Sequence, residues 1–179
     1  MTELDFVPVT RKTWSDFETL FEQPGSPKFC WCMSWRDLPA RQSAGSADKK
    51  KAMAAIVSAG TPVGIIARSG SEVVGWCSVA PRRTFRKLSP DQNDAEKDIW
   101  SIVCFFVVRA HRNGGVGAAL LDAAIDHALK SGASAIEAYP VDPQSPSFRF
   151  MGFKPMFVAR GFRAIGMAGS RRNVMRLDG

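Results

Sequence analysis

The pattern of apolar and polar positions divides the chain into strands and helices before any chemistry is considered. Residues 4–9 alternate, the period of a half-buried strand. Thr10 or Thr13 is placed to cap the helix that follows, with Trp14, Phe17, Leu20 and Phe21 on one face, and Pro24-Gly25-Ser26-Pro27 ends it. A mobile loop is expected over residues 43–48 and a second helix over about residues 47–59, closed by Gly60. Residues 63–68 and 72–80, joined through Ser69-Gly70, read as an antiparallel hairpin. Residues 81–98 are polar, basic and then acidic, and read as an extended loop. Residues 100–108 are almost wholly apolar, the mark of a strand buried on both faces. Val116, Leu120, Leu121, Ala124, Ile125, Ala128 and Leu129 then stripe a helix of about residues 115–130, which Ser131-Gly132 closes. A right-handed crossover brings residues 133–139 parallel to the apolar strand. A short helix near residues 156–160 and strands at 162–167 and 173–177 complete the chain. No internal repeat interrupts this order, and the reading is one α+β domain over residues 1–179.

The junction at Arg112-Asn113-Gly114-Gly115-Val116-Gly117-Ala118 carries the first chemistry. Glycines at 114, 115 and 117 allow positive φ and close backbone approach. The helix that follows leaves its first N–H groups unpaired and adds partial positive charge, which makes an anion site suited to a phosphate or pyrophosphate. A dinucleotide fold wants Gly-x-Gly-x-x-Gly and a P-loop wants Lys-Ser or Lys-Thr; the turn has neither. A plain glycine turn between strand and helix is the bland alternative.

Arg112-x-x-Gly115-x-Gly117, set between an apolar strand and an apolar-striped helix, resembles the acyl-CoA pyrophosphate loop of the GNAT superfamily of N-acetyltransferases. The order of elements resembles that family over nearly the whole chain. The resemblance implies the GNAT fold: a central mixed, mostly antiparallel sheet with a splayed parallel strand pair, flanked by helices. It implies acetyl-CoA as cosubstrate, with the pantetheine arm on the backbone of Phe105, Phe106 and Val107. The pyrophosphate would then sit on the N–H groups of Arg112, Asn113, Gly114, Gly115, Val116, Gly117 and Ala118. Phe150-x-Gly152 and Met156-Phe157-x-x-x-Gly161-Phe162 resemble a second signature of the family, in which many members carry a tyrosine acid where this chain has Phe157. Asp142 falls about where many members place an asparagine that contacts the cofactor arm. The Glu137-to-Asp142 stretch and Cys30-Trp31-Cys32-Met33-x-Trp35-Arg36 resemble a bacterial subgroup of the family.

Amine acetylation needs an oxyanion donor, a base for the amine and a proton for the leaving thiolate. The Val107 N–H is the candidate oxyanion donor. Glu137, beside the expected wedge, is the best-placed carboxylate for a base. Tyr139, the one tyrosine in the chain, shares its parity and is the candidate acid or pocket wall. Trp31, Trp35 and Arg36 fall between the first two helices and are read as acceptor-pocket residues, Arg36 facing an acidic group on the acceptor; the alternative is a hydrophobic plug.

Composition narrows the reading further. At 45% hydrophobic and 23% charged the chain matches ordinary globular proteins, and no run approaches a membrane span. Met1-Thr2-Glu3-Leu4-Asp5 lacks the pattern of a signal peptide, and four irregularly spaced cysteines do not make a disulfide framework, so a cytoplasmic location is expected. The net charge of +7 suits a phosphate-bearing cosubstrate, and no aromatic residues interleave with the basic ones as on single-strand nucleic-acid surfaces. Cys77 and Cys104 read as buried thiols, His111 as a surface group, and His127 as part of a helix face. Cys30-x-Cys32 with two distant histidines does not make a zinc site, so no metal is expected. The expected function is acetyl transfer from acetyl-CoA to a primary amine by direct attack, without nucleic-acid or membrane partners; family members are often dimers. A non-catalytic acyl-CoA sensor is the alternative.

Overall fold

The computed structural model describes residues 3–179; Met1 and Thr2, the start of the segment read for a leader, lie outside them. The elements follow in the order β1 (Leu4–Pro8), α1 (Trp14–Glu22), α2 (Ser46–Ser58), β2 (Ile65–Ser69), β3 (Glu72–Pro81), β4 (Ile99–Val107), α3 (Val116–Lys130), β5 (Ala135–Ala138), α4 (Lys154–Val158), β6 (Arg163–Ala168) and β7 (Arg172–Asp178). They build one seven-stranded sheet in the order β1-β2-β3-β4-β5-β7-β6. Only β4 and β5 pair in parallel; every other neighbour is antiparallel. This is the mixed sheet with one parallel pair that the sequence predicts.

Periodicity locates the elements to within a few residues, and capping chemistry moves the ends. Thr13 precedes α1, but its hydroxyl faces back along the chain, accepting from the Thr10 N–H at 2.9 Å and donating to the Pro8 carbonyl at 2.8 Å. It therefore fixes the bend between β1 and α1 and leaves the helix's own N–H groups alone. Asp48 accepts from the Gly45 N–H at 2.9 Å, so α2 begins at Ser46 inside the expected loop. The loop after β3 is less solvated than its polarity suggests. Short 3₁₀ turns occur at Arg82–Thr84, Arg109–His111 and Arg149–Met151, and Arg82, Phe85 and Leu88 are buried.

Three clusters fill the interior. Leu120, Leu121, Ala124 and Ala128 of α3 pack with Phe157 of α4 on one face of the sheet, against Val74, Ile102, Ile136 and Ala138. On the other face, Phe17, Leu20 and Phe21 of α1 and Met53 and Val57 of α2 meet Trp31, Ile66 and Trp76. Further along that face Val103, Tyr139, Met151 and Val174 form a third group. Gly75 explains how closely α3 lies on the sheet: a Cβ there would stand 2.8 Å from Leu120 Cδ1.

One irregularity in β4 positions everything that follows. Val79 of β3 stands opposite Ile102 and Ser78 opposite Cys104, so Val103 is an extra residue without a partner, a β-bulge. Pairing with β5 covers only Ile99↔Ala135 through Ile102↔Ala138. The bulge thus falls where the parallel pair ends, and residues 103–107 continue without a strand on that side. It also shifts the phase of the side chains: Ile102 and Phe105 both face α3, while Val103 and Cys104 both face the opposite side.

Candidate functional site

At the end of β4 the backbone passes through a short 3₁₀ turn into the glycine segment. Asn113 at φ 63° and Gly115 at φ 83° both take the left-handed conformation, which asparagine and glycine tolerate best. Gly115 precedes α3, and the first bond of the helix runs from the Ala119 N–H to the Gly115 carbonyl at 3.0 Å. Among the described residues, the N–H groups of Asn113, Gly114, Gly115, Val116, Gly117 and Ala118 have no backbone acceptor. Six successive donors therefore sit at the positive end of a fifteen-residue helix. A Cβ on Gly117 would meet nothing within 4 Å, so open space lies in front of this turn. The Arg112 side chain folds back, its Nε donating to the Val107 carbonyl at 2.9 Å.

Strand parity decides what β4 offers beside the turn. The Val108 N–H bonds to the Val74 carbonyl at 2.9 Å. In an antiparallel ladder the donors alternate, so the backbone groups of Val107 and Phe105 point away from β3, into the gap left where β5 departs. The backbone of Phe106 points to β3 and is not free for a ligand; the Phe106 side chain instead lies with the α1 cluster.

On the α1 side of this gap lies an apolar cavity of about 200 Å³. Its walls are Phe21, Pro27, Phe29, Cys30, Cys32, Ser34, Trp35, Cys104, Phe105, Phe106 and Phe150. Phe29 and Phe150 are exposed at its rim. Of the three residues expected to shape an acceptor pocket, only Trp35 is here, with the Arg172 guanidinium 4.4 Å above its ring. Trp31 is buried beneath the surface, stacked on Phe21 at 5.4 Å with its Nε1 donating to Ser46 Oγ at 3.1 Å. Arg36 is buried as well, not at the pocket wall. It is 1% exposed, its Nη2 donating to the Val63 carbonyl at 3.2 Å and its guanidinium lying 4.3 Å from the Phe85 ring centre, so it faces no acidic acceptor group. The physical reason is local. Trp31 and Cys32 take φ 48° and 55°, and this left-handed pair turns the chain inward.

Glu137 and Tyr139, expected as base and acid, occupy a separate buried polar cluster. Arg82 Nη1 reaches Glu137 Oε2 at 3.0 Å and Arg176 Nη1 reaches Oε1 at 3.7 Å. The Tyr139 hydroxyl donates to Glu137 Oε2 at 3.1 Å and meets Ser101 Oγ at 3.1 Å. Burial, and then the Glu137 charge, push the Tyr139 phenol well above its usual range, so it keeps its proton. Both residues face away from α3, and neither lines the apolar cavity. Sequence reasoning missed Arg82, their principal partner, because an arginine fifty-five positions away carries no local signal of the pairing. Phe157 is fully buried against Phe105 and Phe162. Asp142 is exposed, its carbonyl accepting from Ser145 N–H at 2.9 Å. His111 Nε2 stands 3.3 Å from Glu72 Oε2, and His127 meets the edge of Trp100, burial lowering its pKa. A larger, more polar cavity of about 940 Å³ lies at the other end of β4, near Asp98, Trp100 and His127, away from the glycine turn.

The parallel strand pair parts at a bulge, backbone groups of β4 face the gap, and a donor-rich turn lies at its mouth. The acetyltransferase (GNAT) family model matches residues 13–153, and the chain belongs to that family. Among solved structures it is similar to a GNAT family acetyltransferase from Brucella melitensis in complex with acetyl-CoA, at 14% identity and TM-score 0.55, over 99% of this chain and 89% of that one. It is similar to an acetyltransferase of the GNAT family from Streptococcus pneumoniae, at 14% identity and TM-score 0.58, over 98% and 99%. An N-acetyltransferase from Staphylococcus aureus Mu50 aligns at 10% identity and TM-score 0.59, over 98% of each chain. These likenesses establish the fold. A search of curated proteins yields no match. Among the described residues, no helix is long and apolar enough to cross a membrane.

Proposed function

We propose that the chain binds acetyl-CoA and transfers its acetyl group to a primary amine by direct attack. The observation that carries this reading is the run of unpartnered N–H groups from Asn113 to Ala118, opening into free space at the start of α3. A pyrophosphate supplies the acceptors such a run lacks. The pantetheine amides would pair with the free backbone of Phe105, as a missing strand would, the Val107 carbonyl being held by Arg112 Nε. That pairing directs the thioester toward the apolar cavity, where an acceptor would meet it. Val107 N–H is the proposed oxyanion donor, and Asp142, exposed beyond the end of β5, is the proposed contact for the cofactor arm. Orientation of the two reactants supplies much of the rate in such a cleft.

Isothermal titration of acetyl-CoA into wild type and a Gly117→Glu variant tests the reading. Gly117 has room for a side chain and an ordinary φ, so the variant folds, while its carboxylate takes the place of the phosphate. Wild type should bind and the variant should not. Equal binding by both would remove the phosphates from this turn, and no binding by wild type would remove the cosubstrate. The sensor reading draws on the buried Phe157 and the neutral Tyr139, which leave the usual acid missing. Turnover with any amine excludes it.

A further inference from the structure

The walls of the apolar cavity limit what can enter it. Five phenylalanines, Trp35, Pro27 and three cysteines form them together with Ser34. They contain no carboxylate, imidazole or amine, and the Ser34 hydroxyl is already paired with Cys30 Sγ at 2.9 Å. An ammonium drawn inside would lose its water without gaining a partner, so it stays at the mouth and an apolar body fills the interior. The volume of about 200 Å³ sets the size of that body. A cavity of about 150 Å³ accepts a benzene ring, so a single ring on a short linker fits here.

The charge gathered on this wall is cationic. Arg41 Nη1 and Arg86 Nη1 both donate to the Ser34 carbonyl, at 3.2 and 3.4 Å. The Arg172 guanidinium lies 4.4 Å from the Trp35 ring centre and 5.5 Å from that of Phe148. The arginines ion-paired to carboxylates are Arg68, Arg82, Arg160, Arg163 and Arg176; among the described residues, Arg41, Arg86 and Arg172 have only neutral partners. Arg172 is the best held of the three. Its Nη1 donates to the Leu88 carbonyl at 2.9 Å, while its Nε and Nη2 make no hydrogen bond among the described residues and neither is sealed inside. One edge of the guanidinium is thus free for a carboxylate, which accepts two parallel hydrogen bonds from such an edge. Phe148, beside it, is held at φ 58°, in the left-handed region that bulky side chains rarely take. Strained residues of this kind cluster at ligand clamps.

We infer that the acceptor is a free amino acid with an aromatic or similarly large apolar side chain, its body in the cavity and its carboxylate on the Nε–Nη2 edge of Arg172. This rests on the acetyl-transfer reading above. The meeting with an acidic group that the sequence suggests for Arg36 passes to an arginine of β7. With the carboxylate on Arg172 and the ring inside, the amine remains at the mouth, where the thioester arrives. The ammonium gives one proton to water there. The nitrogen then bonds to the thioester carbon, the carbon–sulfur bond breaks, and the second nitrogen proton leaves with coenzyme A as its thiol. Polyamines bring further cations to a wall that is already cationic, and an aromatic amine without a carboxylate forfeits the Arg172 contact.

The test measures acetylation by the full chain at saturating acetyl-CoA, with phenylalanine, 2-phenylethylamine, alanine and spermidine as probes. kcat/KM for phenylalanine should exceed that for 2-phenylethylamine by about 10- to 100-fold, the effect of hydrogen bonds to a charged group. It should exceed that for alanine by at least about 10-fold, and spermidine should not react. Arg172→Met should bring the ratio of phenylalanine to 2-phenylethylamine close to one. A ratio near one in wild type, or one unchanged in the variant, overturns the proposal. Alanine or spermidine used as well as phenylalanine overturns it too. The ratio compares two substrates on the same protein, so a partly unfolded preparation does not imitate its loss. Should Arg172→Met fail to fold, Arg172→Lys is read the same way, because a single ammonium does not reproduce the two-bond contact, and the wild-type ratios decide without either. No acetylation of phenylalanine by a wild type that binds acetyl-CoA overturns this acceptor and leaves the cosubstrate in place. If wild type fails to bind acetyl-CoA, the transfer reading falls and takes the acceptor with it.

Discussion

Two arginines lie fully inside this protein, and their surroundings differ in one respect. Arg82 has a carboxylate, Glu137, at 3.0 Å, and two backbone carbonyls, of Asn93 and Glu96, for its other nitrogen. Arg36 has the Val63 carbonyl, the Thr84 hydroxyl at 3.4 Å and the face of Phe85, but no carboxylate. The first arrangement is closed: each charge is matched and the group is committed to holding β3, β5 and the loop after β3 together. The second is open: no carboxylate pairs with Arg36, and its Nε has no hydrogen-bond partner among the described residues. A matched buried charge is a structural element, whereas the unmatched one carries its desolvation alone, burial lowering the Arg36 pKa to about 10.

Removing each partner in turn probes that contrast. The largest effect is expected for Glu137→Ala, which leaves Arg82 buried without its counter-charge. Breaking a buried pair from one side costs about 3–5 kcal/mol, measurable by urea denaturation. A loss under about 1 kcal/mol would mean Arg82 finds water on its own, and the contrast would disappear.

Cys32→Ala should be milder at neutral pH, about 0.5–1.5 kcal/mol, the usual loss when one buried heavy atom is removed. Its signature is the pH dependence. A thiol held low in the folded state stabilises it above the unfolded value, near 8.5, and loses that contribution as pH falls through the folded value. Cys77 and Cys104 are held high, so their contribution is complete below about 8.5 and declines as pH rises beyond it. Wild-type stability should therefore climb with pH up to about 8.5 and fall above it. The alanine variant should keep the fall and lose the climb. A variant curve parallel to wild type below pH 8.5 would show that Cys32 carries no charge in the folded state. The smallest effect is expected for Lys130→Ala, which breaks an exposed i,i+4 pair with Asp126 at 3.7 Å. Its denaturation midpoint should not move measurably, and a shift like that of Cys32→Ala would blur the distinction between buried and exposed partners.

What the sequence disclosed follows the range over which each feature is encoded. The strand, turn and helix around Arg112–Ala118 are a local pattern, and the structure places them within a residue or two of expectation. The facing of Glu137 depends on the register between β4 and β5, and periodicity does not give register, so a residue read as a base proves to be an ion-pair partner. Trp31 and Arg36 were expected at a pocket wall because of their place between two helices. Two successive left-handed residues turn them inward, and neither tryptophan nor cysteine announces that conformation. The bulge at Val103 is equally silent, since an apolar run buried on both faces reads the same with or without an extra residue.

That extra residue acts as a phase shifter. Before it, even-numbered side chains of β4 face α3; after it, odd-numbered ones do. Were Val103 to pair with Ser78 instead of bulging, β3 and β4 would run in step. Pinned at Ile99–Ile102, the rest of the strand would rotate half a turn, exchanging Phe105 and Phe106 between the two sides of the sheet and removing Cys104 from the company of Cys32. One backbone unit thus decides which set of side chains meets α3 and which meets the opposite side of the sheet. A one-residue slip of register at this point would rewrite both at once while leaving every residue of the chain unchanged.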